Sequence, residues 1–398
     1  LSYHQFYKQL NERALKLFPG LKTIDAPAWE HLVSPLELRL PRRILQTVGE
    51  AVRALYQVSR RPQYQSRLET IPGISDHPHP YRSVLMAYDF HTNEQGECFL
   101  VEVNTNASGF LLASVMEMTH NQSAPEDYAP LKLLRASFEN ELRLWGKAAN
   151  PPHISICDED IPQQKMYLEF LMYRDWFRQM GWKAEFCEAR NYQIDGSRLT
   201  DCTLEPVDLV YNRLTDFYFE EPGHKAMLDG YIKDLACFSP NPFEYWLLGD
   251  KQRLVQLGQK EFLQAAGASA EEIEAITRVV IPSFDKSSFA SPEEIWAQRR
   301  QLFFKPKRSH GGKSVYRGES VSRKVFERLM IEDILIQRYQ PAQKMPVDDP
   351  RSVLENWKFD LRFYVYEDQI QLCAARIYQG QVTNFASPMG GFTLVKFV

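Results

Sequence analysis

The 398-residue sequence predicts a mixed α/β protein of two or three domains, with a three-layer α/β unit near its middle. Three observations carry that reading. Between about Pro152 and Phe238 short apolar runs alternate with helix-period segments. Alternating runs at Leu361 to Val365 and Ile370 to Ala375 flank Glu367-Asp368-Gln369, the signature of a hairpin. Long stretches between Tyr3 and about Arg60 have helical spacing, interrupted by Pro27 and Pro35.

Composition narrows the function classes. With 25% charged residues and a net charge of -4, the chain carries neither a global nucleic-acid footprint nor a polybasic membrane surface. No apolar run approaches membrane-spanning length, and the opening LSYHQFYKQL lacks the layout of a signal peptide, so a cytoplasmic protein is expected. The six cysteines, Cys98, Cys157, Cys187, Cys202, Cys237 and Cys373, form no CxxC pair and are expected as reduced thiols.

In chain order, the two segments HQFYKQLNERALKLF and PRRILQTVGEAVRALYQVSRR predict helices. The His77 to Pro80 run HPHP reads as a turn, because two histidines without further ligands at fixed spacing make a weak metal site. YRSVLMAYDF and CFLVEVNTNASG predict antiparallel strands joined by HTNEQGE. Glu102 and Asn104, two apart in a strand, leave the same face, and as hard oxygen ligands they suit Mg2+, with Asp89 on the neighbouring strand as a third candidate. An isolated E-x-N is more often a plain polar strand end, and Asn106 to Gly109 marks only a turn.

HISICD, QQKMYLEFLMYRDWFRQMG, KAEFCEA and VDLVYNRL then read as strand, helix, strand, strand. Ligands gather at the carboxyl ends of such strands, which puts Asn212 and Arg213 in the expected cleft, with Arg213 able to hold a carboxylate. Further on, Lys251 is expected just inside a helix, and Ser291 before Pro292-Glu293-Glu294 caps another. A buried strand from Leu302 to Phe304 delivers Lys305 to a basic, glycine-containing loop, Pro306 to Lys313, whose backbone can approach phosphate oxygens. DILIQRYQPAQ is an apolar strand whose exit at Gln337 to Gln340 suits the edge of an adenine ring.

Taken in order, Lys251, FFKPKRSHGGKSV, ILIQRYQ, DLRFYVY with AARIYQGQVTNF, and Gly390-Gly391 resemble the ATP-grasp superfamily of ATP-dependent carboxylate-amine ligases. In that family an E-x-N strand usually follows the final glycines. Here it lies early, in LVEVNTNASGF, and the displaced order resembles the circularly permuted branch that includes eukaryotic-type glutathione synthetase and glutathionylspermidine synthetase.

The resemblance implies a circularly permuted ATP-grasp fold. Its parts would be permuted strands within 1-150, a substrate-binding domain at 151-245, and nucleotide-binding lobes at 246-398 with a mobile glycine-rich lid near His310 to Lys313. It further implies that Lys251, Lys305 and Lys307 contact ATP phosphates, that Ser309, Gly311 and Gly312 cover them, and that Gln337 and Tyr339 lie at the adenine hinge. Arg362, Arg376 and Asn384 would face the γ-phosphate or acyl phosphate, Glu102, Asn104 and Asp89 would hold Mg2+, and Arg213, Asn212, Gly390 and Gly391 would line the substrate.

The chain departs from glutathione synthetases in carrying Ser309 and His310 where they have a metal-binding glutamate, and Ala87 where they have an arginine. The nucleotide site therefore reads as retained and the acceptor site as rebuilt. The implied reaction joins a small-molecule or peptide carboxylate to an amine through an acyl phosphate, and the resemblance admits a homodimer. An ATP-grasp kinase and a non-catalytic nucleotide-binding regulator are the alternatives. The final strand, ending near Val398, is expected close to the strand bearing Glu102.

Overall fold

A computed structural model describes residues 2-23, 29-307, 315-346, 356-380, 383 and 389-398. Ser309, Gly311, Gly312 and Asn384, with the glycine loop expected to form the lid, lie outside the described residues. The strands are β1 (Val33–Leu40), β2 (Met86–Thr92), β3 (Cys98–Asn104), β4 (His153–Asp158), β5 (Lys183–Glu188), β6 (Gln193–Asp195), β7 (Arg198–Thr200), β8 (Leu209–Asn212), β9 (Cys237–Ser239), β10 (Ser283–Phe284), β11 (Leu302–Pro306), β12 (Tyr316–Arg317), β13 (Ile334–Arg338), β14 (Lys358–Tyr366), β15 (Gln369–Tyr378) and β16 (Gly391–Phe397).

The largest sheet has the order β1-β16-β15-β14-β2-β3 and is antiparallel except where β1 runs parallel to β16. The β14–β15 hairpin closes through Glu367, whose φ of 55° supplies the left-handed residue such a tight turn requires. Helix Arg42–Ser59 buries Ile44, Val48, Ala51, Val52, Leu55 and Val58, a stripe at helical spacing that packs on this sheet. Helix Phe110–Asn121 is buried nearly all round, as expected of a helix enclosed by other elements.

The middle of the chain forms a parallel sheet, β5-β4-β8-β9, with helix Tyr167–Gln179 packed on β4 and β5. A small antiparallel sheet, β10-β13-β11-β12, has a hydrophobic cluster of its own that includes Ile295, Leu302, Phe304, Phe326 and Ile336. No helix among the described residues is long and apolar enough to cross a membrane.

Three expectations need correction. The segment between the first two long helices is a strand, β1. Its alternation, Leu36-Glu37-Leu38-Arg39-Leu40, spans too few residues to stand out between two longer helical periodicities. The strands β16 and β3 share a sheet but are not neighbours, because β15, β14 and β2 lie between them. It is β14 that abuts β2. Lys251 sits at an N-cap, not inside the helix, because a π-helical turn, Tyr245–Gly249, ends at Asp250 in extended backbone before helix Gln252–Leu257 starts.

One glycine fixes how β16 meets the rest. Gly109 starts helix Phe110–Asn121 at φ 103°, and a Cβ there would lie 1.8 Å from Phe392 Cζ. Its N–H and that of Leu111 donate to the buried Glu169 carboxylate at 2.7 and 3.0 Å. Gly109→Ala combines a forbidden φ with a clash in a filled core, and a loss of roughly 3 kcal/mol or more is expected in urea unfolding.

Candidate active site

The sheet register lines up charge across four strands. Arg362 on β14 lies opposite Asp89 on β2, Asp89 lies opposite Glu102 on β3, and Asp360 lies opposite Arg376 on β15. Residues opposite one another in antiparallel strands project to the same face, so these groups share one surface. Arg362 grips Asp89 bidentately, Nε to Oδ1 at 2.8 Å and Nη2 to Oδ2 at 2.6 Å. Arg376 bridges Asp89 Oδ2 at 3.0 Å and Asp360 Oδ1 at 2.7 Å, and Asp360 also accepts from Thr383 Oγ1. Burial works to raise the Asp89 pKa, but the two guanidinium groups outweigh it and hold the carboxyl below its ordinary range.

Asn104 Nδ2 donates to Asp89 Oδ2 at 3.1 Å and to Glu102 Oε1 at 3.2 Å, so the E-x-N pair does point together. Asp89, expected as a metal ligand, is the counter-ion of two arginines here, with both oxygens accepting hydrogen bonds. Among the described residues no group of three or more His, Cys, Asp or Glu is arranged to hold a metal by itself. The donor set left for Mg2+ is the Glu102 carboxylate with Asn104. That suits an ion whose remaining ligands are phosphates and water.

The cations approach from the other side. Lys305, 4% exposed, is the penultimate residue of β11 and donates to Val101 O at 3.1 Å, which ties the small sheet to β3. Burial lowers its pKa to about 8, with Glu102 opposing and Lys251 adding to the shift. Glu102 is itself held low because Lys251 and Lys305 outweigh its burial. The π-helical turn before Lys251 packs on β3, and a Cβ on Gly249 would meet the Tyr245 ring at 2.6 Å and Thr105 Cγ2 at 3.1 Å. Two lysines are therefore forced together around one carboxylate, an arrangement that favours an added anion.

The other expected positions are dispersed around this centre. Lys307 forms ion pairs with Asp285 and Asp333, both at 2.9 Å, and so clamps the small sheet. Gln337 is buried with its amide on Ser283 Oγ at 3.1 Å, and the Tyr339 N–H donates to Gln301 O at 2.8 Å. The Tyr339 ring lies beneath the Arg317 guanidinium at 4.5 Å. Gly391, at φ 112°, is needed because a Cβ there would lie 2.3 Å from Leu32 O; the described Gly390 precedes it.

Asn212 ends β8 and Arg213 follows it directly. Arg213 is buried, donates to Ala107 O at 3.2 Å and to Ser108 Oγ, and among the described residues its buried Nε has no hydrogen-bond partner. Asn212 Oδ1 accepts the Leu214 N–H at 3.0 Å, closing a local turn.

Two residues escaped the sequence reading. Ser108, expected to mark only a turn, joins both arginine groups. Its carbonyl accepts from Arg362 Nη1 at 3.2 Å and Tyr364 OH at 2.8 Å, while its hydroxyl meets Arg213. His91, two residues beyond Asp89, donates from Nδ1 to Gln340 O at 2.8 Å and so fastens the exit of β13 to the charged face. Burial, with help from Lys305 and Arg376, lowers its pKa against the pull of Asp360. Only the β2 alternation, which puts residues 89 and 91 on one face, could have signalled it.

The chain matches no protein-family model and no curated protein sequence. Solved structures do share its architecture. A glutathione synthetase-like effector from Globodera pallida, in apo form, superposes with a TM-score of 0.58 at 11% identity over 98% of this chain and 97% of that one. A protein from Methylobacillus flagellatus KT, provisionally named gamma-glutamylcysteine synthetase, superposes with a TM-score of 0.50 at 11% identity over 89% and 87%. At that identity the likeness establishes a glutathione synthetase-like fold and nothing finer.

Proposed function

We propose that the chain is an ATP- and Mg2+-dependent carboxylate-amine ligase on a circularly permuted ATP-grasp scaffold. One observation carries this reading: buried Lys305 and half-buried Lys251 converge on Glu102 beside the Arg362–Asp89–Arg376 bridge, and among the described residues no carboxylate forms an ion pair with Lys305. A nucleotide polyphosphate supplies the missing negative charge. The three-part division at 150 and 245, the glycine-rich lid and the permuted order belong to the same proposal.

A carboxylate is a poor electrophile, and phosphoryl transfer from ATP to it creates an acyl phosphate that an amine can attack. Lys251 and Lys305 neutralise the polyphosphate, and Arg376 and Arg362, held rigid by Asp89, stabilise charge on the transferring group without reorganising. Arg213 orients the acid substrate through its guanidinium. Bound at Glu102 and Asn104, Mg2+ would draw charge from the phosphates.

The diagnostic experiment is phosphate release from ATP against panels of acids and amines. Release that requires both supports the ligase, whereas release with a hydroxyl acceptor and a stable phosphoester would make the chain a kinase. A non-catalytic nucleotide-binding reading draws on the engagement of Asp89 by arginines, which leaves Glu102 as the carboxylate facing the lysines. Tight ATP binding without product over the whole panel would favour it.

ATP affinity should also depend on pH with a definite sign. Only protonated Lys305 attracts phosphate, and its pKa in the free protein is about 8. Affinity is therefore expected to fall as pH rises through that value, with proton uptake on binding, which calorimetry in buffers of different ionisation enthalpy would detect. A flat profile over about pH 7 to 10 would remove Lys305 from the phosphate site.

A further inference from the structure

Away from the charged face, two cysteines fifteen positions apart are brought together at a sheet edge. Cys187 belongs to β5, the outer strand of the parallel sheet, and is buried; Cys202 is exposed in the turn after β7. That turn is pinned. Buried Asp201 accepts from the Thr203 N–H at 2.9 Å and the Thr203 hydroxyl at 2.6 Å, and its other oxygen lies 3.1 Å from His153 Nε2.

The pinned turn lies along β5. The Cys202 N–H donates to Cys187 Sγ at 3.2 Å, and the Cys202 thiol donates to Phe186 O at 3.2 Å. One member is open to reagent and the other is immediately behind it, the layout of an attacking and a resolving cysteine.

We propose that Cys187 and Cys202 form a reversible intramolecular disulfide by exchange with a low-molecular-weight disulfide. In the first step Cys202 loses its proton and its sulfur attacks one sulfur of R–S–S–R, giving a mixed disulfide and RS−. Cys187 then loses its proton and attacks Cys202 Sγ, expelling the second RS−. The two protein thiol protons end on two RSH, the protein pair is oxidised by two electrons, and the added disulfide is reduced by two. Burial raises both thiols above the ordinary cysteine range, so exchange is slow at neutral pH and accelerates with alkalinity.

The test treats the full chain with 2-hydroxyethyl disulfide at about pH 8.5, alkylates the remaining thiols and maps peptides by mass. The wild-type chain is expected to lose two thiols and gain a Cys187–Cys202 cross-link that dithiothreitol reverses. Cys187→Ser is expected to stop at a mixed disulfide on Cys202, and exposed Cys202→Ser to form neither product. Cys157, opposite Cys187 on β4, is the competing partner, and Cys157→Ser should still give the cross-link. A wild-type chain that keeps a mixed disulfide on Cys202 with Cys187 free, that joins Cys187 to Cys157, or that leaves both thiols unmodified overturns the proposal.

Discussion

Lys305→Met should lower ATP-dependent turnover by roughly 10²- to 10³-fold while leaving the fold at least as stable as the parent. The two halves of that expectation have one cause. Lys305 is almost wholly buried and its pKa is depressed to about 8, so in the free protein its charge is held at a cost. Methionine fills similar length without the charge, and the Val101 carbonyl loses one donor. A site residue retained against stability is one whose value appears only when an anion arrives. Glu102→Gln should likewise abolish turnover with the fold intact, because it removes the carboxylate that both lysines face. Loss of activity accompanied by unfolding would assign Lys305 to the core, and full activity in both variants would dismiss the site.

The second large effect runs the opposite way. Asp89→Asn removes the shared counter-ion of buried Arg362 and half-buried Arg376, and a loss of about 3–5 kcal/mol is expected at neutral pH. The pH dependence has a definite sign. The Asp89 pKa is depressed in the folded chain, so its contribution is full above the ordinary aspartate value of about 3.9 and is lost as pH falls through the depressed one. Parent and variant should therefore converge in stability toward acid. Guanidinium unfolding across pH measures this, and a variant within about 1 kcal/mol of the parent at neutral pH would mean that the bridge contributes no more than a surface pair.

Much of the architecture was legible from short patterns. The β14–β15 hairpin, β2 and β3, the α/β rhythm of the middle and the capped helix at Ser291 follow from period and turn residues, which are local properties. Sheet order is not local. That β14 pairs with β2, that β16 pairs with β1, and that Ser108 reaches Arg213, Arg362 and Tyr364 depend on segments far apart in sequence.

The candidate site divides along the same line. Glu102, Asn104, Lys305, Arg362 and Arg376 could be named because charged and amide groups at strand ends are conspicuous against an apolar run. What each one touches could not. Asp89 reads as a metal ligand from its type, and only the register that puts Arg362 opposite it shows its role as a counter-ion. Lys307 reads as a phosphate ligand from its loop, until Asp285 and Asp333 are found on either side of it. His91 was silent because one histidine in an apolar strand has no pattern.

The most direct test of the central claim is equilibrium binding of ATP with Mg2+ to the full chain and to Lys305→Met, followed by titration calorimetry. The expected result is saturable 1:1 binding to the parent chain, weakened at least about tenfold in the variant, the size of one lost charge-assisted contact. Equal affinity in the two proteins, or no binding by the parent chain, would contradict a nucleotide site built on Lys305.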